Sequence, residues 1–375
     1  MFALFNIKLE RLIFSSLILS SVLYFVKLTP LSPIYVVYVL SFLMYYSLVA
    51  RVNSKNIATT VIYFFISILM LVTQFYKSEM APLINLFLSL QMIGIVFAIE
   101  GRLDKQFILK ISLMYCWLCI ILLGADSVYR ILNPISPSLE TLAAFESRGT
   151  TFYIYKFNTL MFGSSNTTAL AALGAFFLLL FISDTNEKKQ YLPLILLLVI
   201  IYFTFSRAAI LAVLVGLLLL YDLKLSKLIV SLLLFFGWNI LFYIKNYSDD
   251  LSLLTKVQIL ERIYDFYSNQ ATLEHIFTGV GLNESPKYIQ INAHNVFMTY
   301  IFELGLIGLI ALLFWIGNLM YKSKQWCAYV IIPILFSGLS YFIYAGSPFI
   351  FAPMVLVCLL ANKRERFIGR RKLFL

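Results

Sequence analysis

The chain has 375 residues, of which 61% are hydrophobic and only 13% charged, against roughly 45–50% apolar and 25% charged in soluble domains. That balance excludes a soluble globular fold and leaves an all-α, polytopic integral membrane protein. The formal net charge of +11 would point to nucleic acid in a soluble protein. Here the bases fall between apolar runs, so they read as topology signals and headgroup contacts, with membrane lipids and not nucleic acid as the partner.

Apolar runs of the length a bilayer needs, about 17–25 residues, fall near 11–27, 34–50, 57–76, 82–99, 107–124, 166–183, 190–204, 208–222, 228–244, 294–320, 326–344 and 348–361, about twelve spans. The pair 190–204 and 208–222 is the least defined: two helices joined by a very tight turn, or one long buried hairpin. Lys8 and Arg11, Arg51 and Lys55, Arg102 and Lys105, Lys188 and Lys189, Lys224 and Lys227, and Lys322 and Lys324 put two bases in every short loop on one side. The short loops on the other side hold at most one. This is the positive-inside pattern, and it places both termini in the cytoplasm.

The chain then divides into an N-terminal scaffold of five spans (1–124), an outer loop (125–165), central spans (166–244), a large second outer loop (245–293), and C-terminal spans with a basic cytoplasmic tail (294–375). These form one integrated membrane domain. The scaffold is nearly free of ionisable residues at its span centres, and Tyr35, Tyr38, Tyr45 and Tyr46 mark interface belts or line a lipid-facing groove. Cys116-x-x-Cys119 has redox or metal spacing but sits in an uninterrupted apolar run without a second pair, which is a packing role. Residues 1–27 lack a small-residue cleavage site and read as a retained anchor.

The first outer loop mixes Pro134, Pro137, Gly149 and Gly163 with Arg130, Glu140, Glu146, Arg148 and Lys156, which is the turn chemistry of an ordered lid or re-entrant piece. Ser206-Arg207 is wedged between two apolar runs. An arginine at membrane depth is costly unless it faces a cavity or a partner. Its planar fork grips two phosphate oxygens at once, so Arg207 suits a diphosphate at headgroup level, and snorkelling to the interface is its alternative use.

The second outer loop is the most polar stretch. Asp249-Asp250 has the look of half a metal site, yet no third ligand accompanies it, and a solvated turn accounts for it. Residues 257–267 carry apolar side chains at helical spacing, which predicts an amphipathic helix on the outer surface with Arg262 over the mouth of a cavity. Gly279-Val-Gly281 is too isolated for a nucleotide fingerprint and reads as a bend returning the chain toward His294. His275 matches no motif and reads as structural.

His294 and Asn295 stand where this polar loop meets the tenth apolar run. A histidine at such a border stays near its ordinary pKa while facing lipid-borne substrate, as a general base must. Asn295, or Asn292 before it, is equally a good helix N-cap. Glu303 follows at the same edge, placed to pair with an arginine or to orient an acceptor. Gly305 and Gly308 lie at helical spacing that permits close helix approach.

His294-Asn295, nine intervening residues, then Gly305-Leu-Ile-Gly308 resembles the His-Asn-x9-Gly-x-x-Gly signature of the O-antigen ligase and polymerase superfamily. Those are membrane glycosyltransferases that move glycans off a polyprenyl diphosphate carrier. Phe203-Thr-Phe-Ser-Arg-Ala-Ala209 is similar to the family's Ser/Thr-Arg motif at the membrane edge. Glu261-Arg262 followed by Gly279-Val-Gly281 is similar to its segment upstream of the histidine, and Arg148-Gly149 and Asn166 resemble its upstream Arg and Asn positions. The likeness covers roughly residues 200–315.

The resemblance implies a C-class, transporter-like glycosyltransferase fold in a bacterial inner membrane with its active site on the periplasmic face. It also implies undecaprenyl diphosphate-linked oligosaccharide as substrate and a polysaccharide chain-length regulator as a partner. In that setting Arg207, Arg262 and Arg148 bind the diphosphate, His294 takes the acceptor proton, and Asn295, Glu303, Asn166, Gly305 and Gly308 support them. With cations in place of a metal and no clustered metal ligands on the outer side, metal-independent transfer without a cofactor is expected. Within that resemblance, the size, the short tail and the Phe/Tyr-heavy, low-complexity apolar spans look like those of an O-antigen polymerase, which extends one lipid-linked repeat unit with another. The alternatives are a ligase that delivers polymer to the lipid A core, and a flippase or transporter of lipid-linked oligosaccharide. A flippase is disfavoured because neither internal repeats nor charges deep in several spans are present.

Overall fold

In the computed structural model, residues 2–49, 54–147, 150–185, 189–221, 251–340 and 346–363 are described. The expected span 228–244, Arg148 with Gly149, Asp249-Asp250 and the tail from 364 onward lie outside them. Among the described residues every regular element is helical and no strand occurs. In order these are α1 (Phe2–Ser20), α2 (Pro33–Met44), α3 (Ser54–Gln74), α4 (Met80–Ile99), α5 (Lys105–Leu132), α6 (Leu139–Ser147), α7 (Ser165–Thr185), α8 (Tyr191–Phe203) and α9 (Arg207–Tyr221). After the undescribed stretch come α10 (Leu251–Asn269), α11 (Leu273–Thr278), α12 (Ser285–Ile289), α13 (Val296–Met298), α14 (Gly305–Lys322), α15 (Ala328–Gly338) and α16 (Pro348–Asn362).

Among the described residues, four helical stretches are long and apolar enough to cross a bilayer: Met80–Arg102, Lys105–Leu132, Ser165–Thr185 and Gly305–Lys322. Shorter apolar helices pack around them. Large side chains such as Ile62, Phe65, Leu192, Ile195, Leu211, Ile310 and Leu313 stand exposed on their outer faces. In water so wide an apolar surface is an aggregation liability; in lipid it is solvated. The chain is therefore an α-helical, membrane-embedded protein.

The core is built around α7. Its apolar residues run all the way round the helix, which fits a helix enclosed by others, and 94% of its most apolar stretch is buried against 28% for that of Gly305–Lys322 at the periphery. Helices α5, α8, α9, α15 and α16 pack on α7. Close approach is set by Gly174, where a Cβ would come 2.9 Å from Pro353 Cγ. Without a hydrophobic drive between helices in lipid, hydrogen bonds add specificity. Tyr46 Oη donates to Gln91 Oε1 at 2.6 Å, Gln91 Nε2 donates to Ser67 Oγ at 2.9 Å, and Asn318 Nδ2 donates to Tyr63 Oη at 2.7 Å.

Helix α5 departs from the expected loop boundary at 125. It continues to Leu132, because the two charged residues that seemed to end the span, Asp126 and Arg130, are one turn apart and wholly buried on one face. Arg130 Nε lies 3.3 Å from Asp126 Oδ2. Its other donors reach Ser127 Oγ at 3.0 Å, Tyr155 O at 3.0 Å and Phe203 O at 3.3 Å from both Nη atoms. All five guanidinium N–H groups are thus spoken for. Asp126 in turn accepts from Leu160 N (2.6 Å), Met161 N (3.1 Å) and Thr168 Oγ1 (3.0 Å). This knot ties α5 to the following loop, to the start of α7 and to the end of α8. The remaining part of the loop folds into α6 and a short 3₁₀ turn, Thr151–Tyr155.

The runs 190–204 and 208–222 resolve as two helices, α8 and α9, joined by the turn Thr204–Ser206 with Phe205 at φ 54°. The Phe205 ring lies against Phe152 and Tyr155, and Thr204 O accepts from Ser165 Oγ at 2.7 Å.

Contacts between helix ends sort the polar residues into two groups. At one end Arg11 pairs with Asp104, Arg102 with Glu10, Asn362 with Glu100, and Tyr329 donates to Asp184. At the other end Lys27 bonds Asn158, Lys77 bonds Thr278, and the Asp126–Arg130 knot sits.

Removing one partner of a buried pair leaves a bare charge, which costs about 3–5 kcal/mol, whereas replacing both with apolar side chains is far better tolerated. Asp126→Ala should therefore sharply lower the thermal midpoint of detergent-solubilised protein, and Asp126→Leu/Arg130→Met should recover most of the loss. Equal midpoints for the two variants would show that the knot contributes only as two independent polar residues.

Candidate functional site

The segment 251–305 forms a separate cap at the end of the bundle that carries Lys77 and Arg130. Helix α10 is amphipathic: Val257, Ile259, Ile263 and Phe266 are buried while Gln258, Glu261, Tyr264 and Asp265 are exposed. The buried face makes a small core of its own with Val280, Ile289 and Phe302. Phe266 and Phe302 meet edge to face with ring centres 5.2 Å apart, a favourable aromatic geometry. Arg262, on the same helix, donates through Nη1 to Ile289 O at 2.7 Å and to Gln290 Oε1 at 3.3 Å. It therefore ties α10 to α12 with one nitrogen, a structural task beside the expected diphosphate contact.

The bend Gly279–Gly281 docks on the chain after His294. Val280 N donates to Phe302 O and Gly281 N to Glu303 O, each at 3.0 Å. Gly279 (φ 71°) and Gly305 (φ 68°) meet backbone to backbone, and a Cβ on Gly305 would lie 2.5 Å from Gly279 N. Only glycine fits both the left-handed conformation and that contact. The expected role of Gly305 in helix–helix packing is corrected accordingly: it serves a loop contact at the very start of α14. Gly308, one turn on, is buried with Leu304 and the Tyr300 carbonyl against it.

The same junction moves the start of the tenth span. The expected run 294–320 breaks at Gly305. Residues 296–303 form the short α13 and a π turn, Thr299–Glu303, separate from the span Gly305–Lys322. Single π turns often accompany functional sites.

His294 adopts φ 48°, a conformation uncommon outside glycine and most accessible to Asn, Asp and His. Asn295 fixes it from one side. Its Oδ1 accepts from Phe297 N (2.9 Å) and Met298 N (3.3 Å) as the N-cap of α13, and its Nδ2 donates to Leu339 O at 2.9 Å. From the other side Ala293 N donates to Ser285 Oγ at 3.0 Å. His294 itself is half-buried. Burial first, and the nearby Lys256 charge second, hold its pKa below the ordinary imidazole value, so it is neutral at pH 7.

Among the described residues Glu303 pairs with no arginine. It is buried, and it accepts from Asn283 N at 2.9 Å and from Ser285. Burial pushes its pKa up to about 7 against those hydrogen bonds. It is a strut for the 283–285 turn.

Arg207 arrives by a different route. It is exposed at the first position of α9, just past the Thr204–Ser206 turn. A fixed cation at a helix N-terminus opposes the helix dipole, and together they attract an anion. Its end of the bundle follows from packing. Ser165 and Thr168, at the start of α7, contact Thr204 and Asp126, while Asp184 at the end of α7 contacts Tyr329 at the start of α15. The end of α15, Leu339, where Asn295 is anchored, is thus the Arg207 end. Arg207, Arg262, His294, Asn295, Glu303 and Gly305 share one face of the bundle, with Arg262, His294 and Glu303 in the cap. Asn166 lies half-buried on the first turn of α7 at the same end, and Arg148 is outside the described residues. His275 caps α11 together with Thr272.

Two features escaped sequence reasoning. The Asp126–Arg130 pair was visible only as an i, i+4 opposite-charge pair at the end of an apolar run. Lys256 acts on His294 across a separation of 38 positions in the chain, and no local pattern announces it. No family model, curated protein or solved structure matches the chain.

Because Glu303 has a folded pKa near 7 and an ordinary unfolded one of about 4.3, its stabilising contribution is complete below the unfolded value. It is lost as pH rises through about 7. Protease nicking of the 279–290 segment should accelerate across that window in the wild type. In Glu303→Gln it should not depend on pH, and an identical pH profile for both would contradict the burial argument.

Proposed function

We propose that this protein is a metal-independent glycosyltransferase that polymerises a surface polysaccharide, an O-antigen polymerase. In this reading about twelve spans place both termini in the cytoplasm of a bacterial inner membrane. The cap and Arg207 then lie on the periplasmic face. The observation that carries the reading is a neutral, half-buried histidine held in a strained backbone conformation, at the same end of a membrane bundle as Arg207 and Arg262. The match to the His-Asn-x9-Gly-x-x-Gly spacing supports it.

The chemistry follows. The acceptor hydroxyl of one lipid-linked repeat unit attacks the anomeric carbon of another as the bond to its diphosphate breaks. His294 removes the hydroxyl proton. Arg207 takes the leaving diphosphate with two parallel N–H groups, and Arg262 adds its charge and the N–H groups beyond Nη1. Asn295 and Ser285 position the imidazole through the backbone, and Gly305 with Glu303 holds the cap against the span.

His294→Ala should abolish long-chain surface glycan in cells while leaving insertion into the membrane intact, seen as a core bearing one repeat unit on a polysaccharide gel. Normal polymer would refute the base assignment, and a bare core with accumulated lipid-linked polymer would show a ligase instead. The acid limb of the activity profile should fall below pH 6.5, since the base must be neutral. Lys256→Gln removes a charge that lowers the His294 pKa and should move that limb upward. An unmoved limb would assign it to another group.

A further inference from the structure

A second site has no arginine in its lining. Between the α3–α4 turn and the α11–α12 segment is a cleft of about 300 Å³, lined by Lys77, Glu274, His275, Glu284, Lys287 and two tyrosines, Tyr76 and Tyr288. We infer that this cleft is a binding subsite for a neutral, hydroxyl-rich sugar chain.

The first argument is charge. Lys77 pairs with Glu274 at 2.6 Å and Lys287 with Glu284 at 2.5 Å, so four charged groups sum to nothing. A cleft meant for a diphosphate needs an excess of cations, and this one lacks it. What it offers is alternating donors and acceptors, the complement of hydroxyls that both donate and accept. His275 Nδ1 accepts from Thr272 N at 3.2 Å, which leaves Nε2–H as a further donor.

The second argument is the aromatic pair. Tyr76 is 94% exposed beside the cleft and Tyr288 is 41% exposed. Both present flat apolar faces where the C–H face of a pyranose can lie. Tyr288 is held upright by Phe266 and His275, with ring centres 5.5 and 5.8 Å away. An interface belt would account for Tyr76 alone but not for Tyr288 set among charged groups.

The third argument is that the walls are preformed, which spares ordering entropy on binding. Lys77 Nζ also donates to Thr278 Oγ1 at 2.6 Å, Gln74 Nε2 donates to Thr278 O at 2.6 Å, and Leu282 N donates to Ser78 Oγ at 2.6 Å. The volume stands at the lower bound of small-ligand pockets, roughly 300–1,000 Å³, so it takes a short stretch of glycan. Glu284 adjoins Ser285, whose hydroxyl accepts from the backbone N–H of Ala293, so a glycan chain seated in the cleft touches a wall tied to the loop that carries His294. That this chain is the acceptor rests on the proposed function; the sugar site itself does not.

The test is saturation-transfer NMR on the full-length protein in detergent, with neutral oligosaccharides released by mild acid from the host's own surface glycan as the probe. The wild type should pass saturation to sugar ring C–H protons. Glu284→Gln and Tyr76→Ala, the latter too exposed to disturb folding, should each weaken binding about tenfold, the loss expected for one charge-assisted hydrogen bond or one stacking contact. Inorganic pyrophosphate should not compete. Absence of transfer to the wild type, equal affinity in both variants, or displacement by pyrophosphate would overturn the assignment. His294→Ala should still bind the sugars. If they bind but the deletion strain makes normal polymer, the enzymatic reading fails and the sugar site stands. If polymer is lost but no sugar binds, the reverse holds.

Discussion

The architecture depends on burying one ion pair inside a membrane bundle. Asp126 and Arg130 have no water to solvate them, so every donor and acceptor they own must find a protein partner. Besides each other and the hydroxyls of Ser127 and Thr168, the partners they find are backbone groups of two segments: Tyr155, Leu160 and Met161 in the loop, and Phe203 at the end of α8. A cost that looks purely local thereby fixes the turn from which Arg207 projects. The ion pair is structural: through the Phe203 carbonyl it holds the end of α8, and with it the turn before Arg207.

The cap is positioned by the opposite device, the absence of side chains. Gly279 and Gly305 bring two backbones into contact, and the hydrogen bonds from Val280 and Gly281 follow from that approach. Everything the cap presents hangs on this junction and on the aromatic core around Phe266 and Phe302. It explains why His294 sits on a broken, partly π-helical entry and not on a straight helix. A continuous helix from 294 to 322 would carry the histidine in helical backbone, without the left-handed twist that sets its direction. Burial near Lys256 then keeps the imidazole neutral, which is the state a base requires.

Much of this was legible in the chain. Apolar length and composition specify helices in lipid. The amphipathic pattern at 257–267 announced α10, and Asn295 announced its own cap. What stayed hidden was the long-range part. A buried charge pair reads as loop when the apolar run appears to end at it, as Asp126 and Arg130 did. A Gly-x-x-Gly spacing reads as helix packing unless its partner, Gly279, is known. Arg262 read only as a ligand, and its structural bond to the Ile289 carbonyl stayed hidden because no local pattern reveals that this carbonyl lies within reach.

The central claim is that this end of the bundle joins sugars at the expense of a lipid diphosphate. It is tested most directly by reconstituting the purified protein in liposomes containing a polyprenyl diphosphate-linked repeat unit, with EDTA present, and analysing the lipids. The account predicts a carrier bearing two or more repeat units together with free polyprenyl diphosphate. Repeat units that cross the bilayer unchanged, with no new glycosidic bond and no released diphosphate, would contradict it.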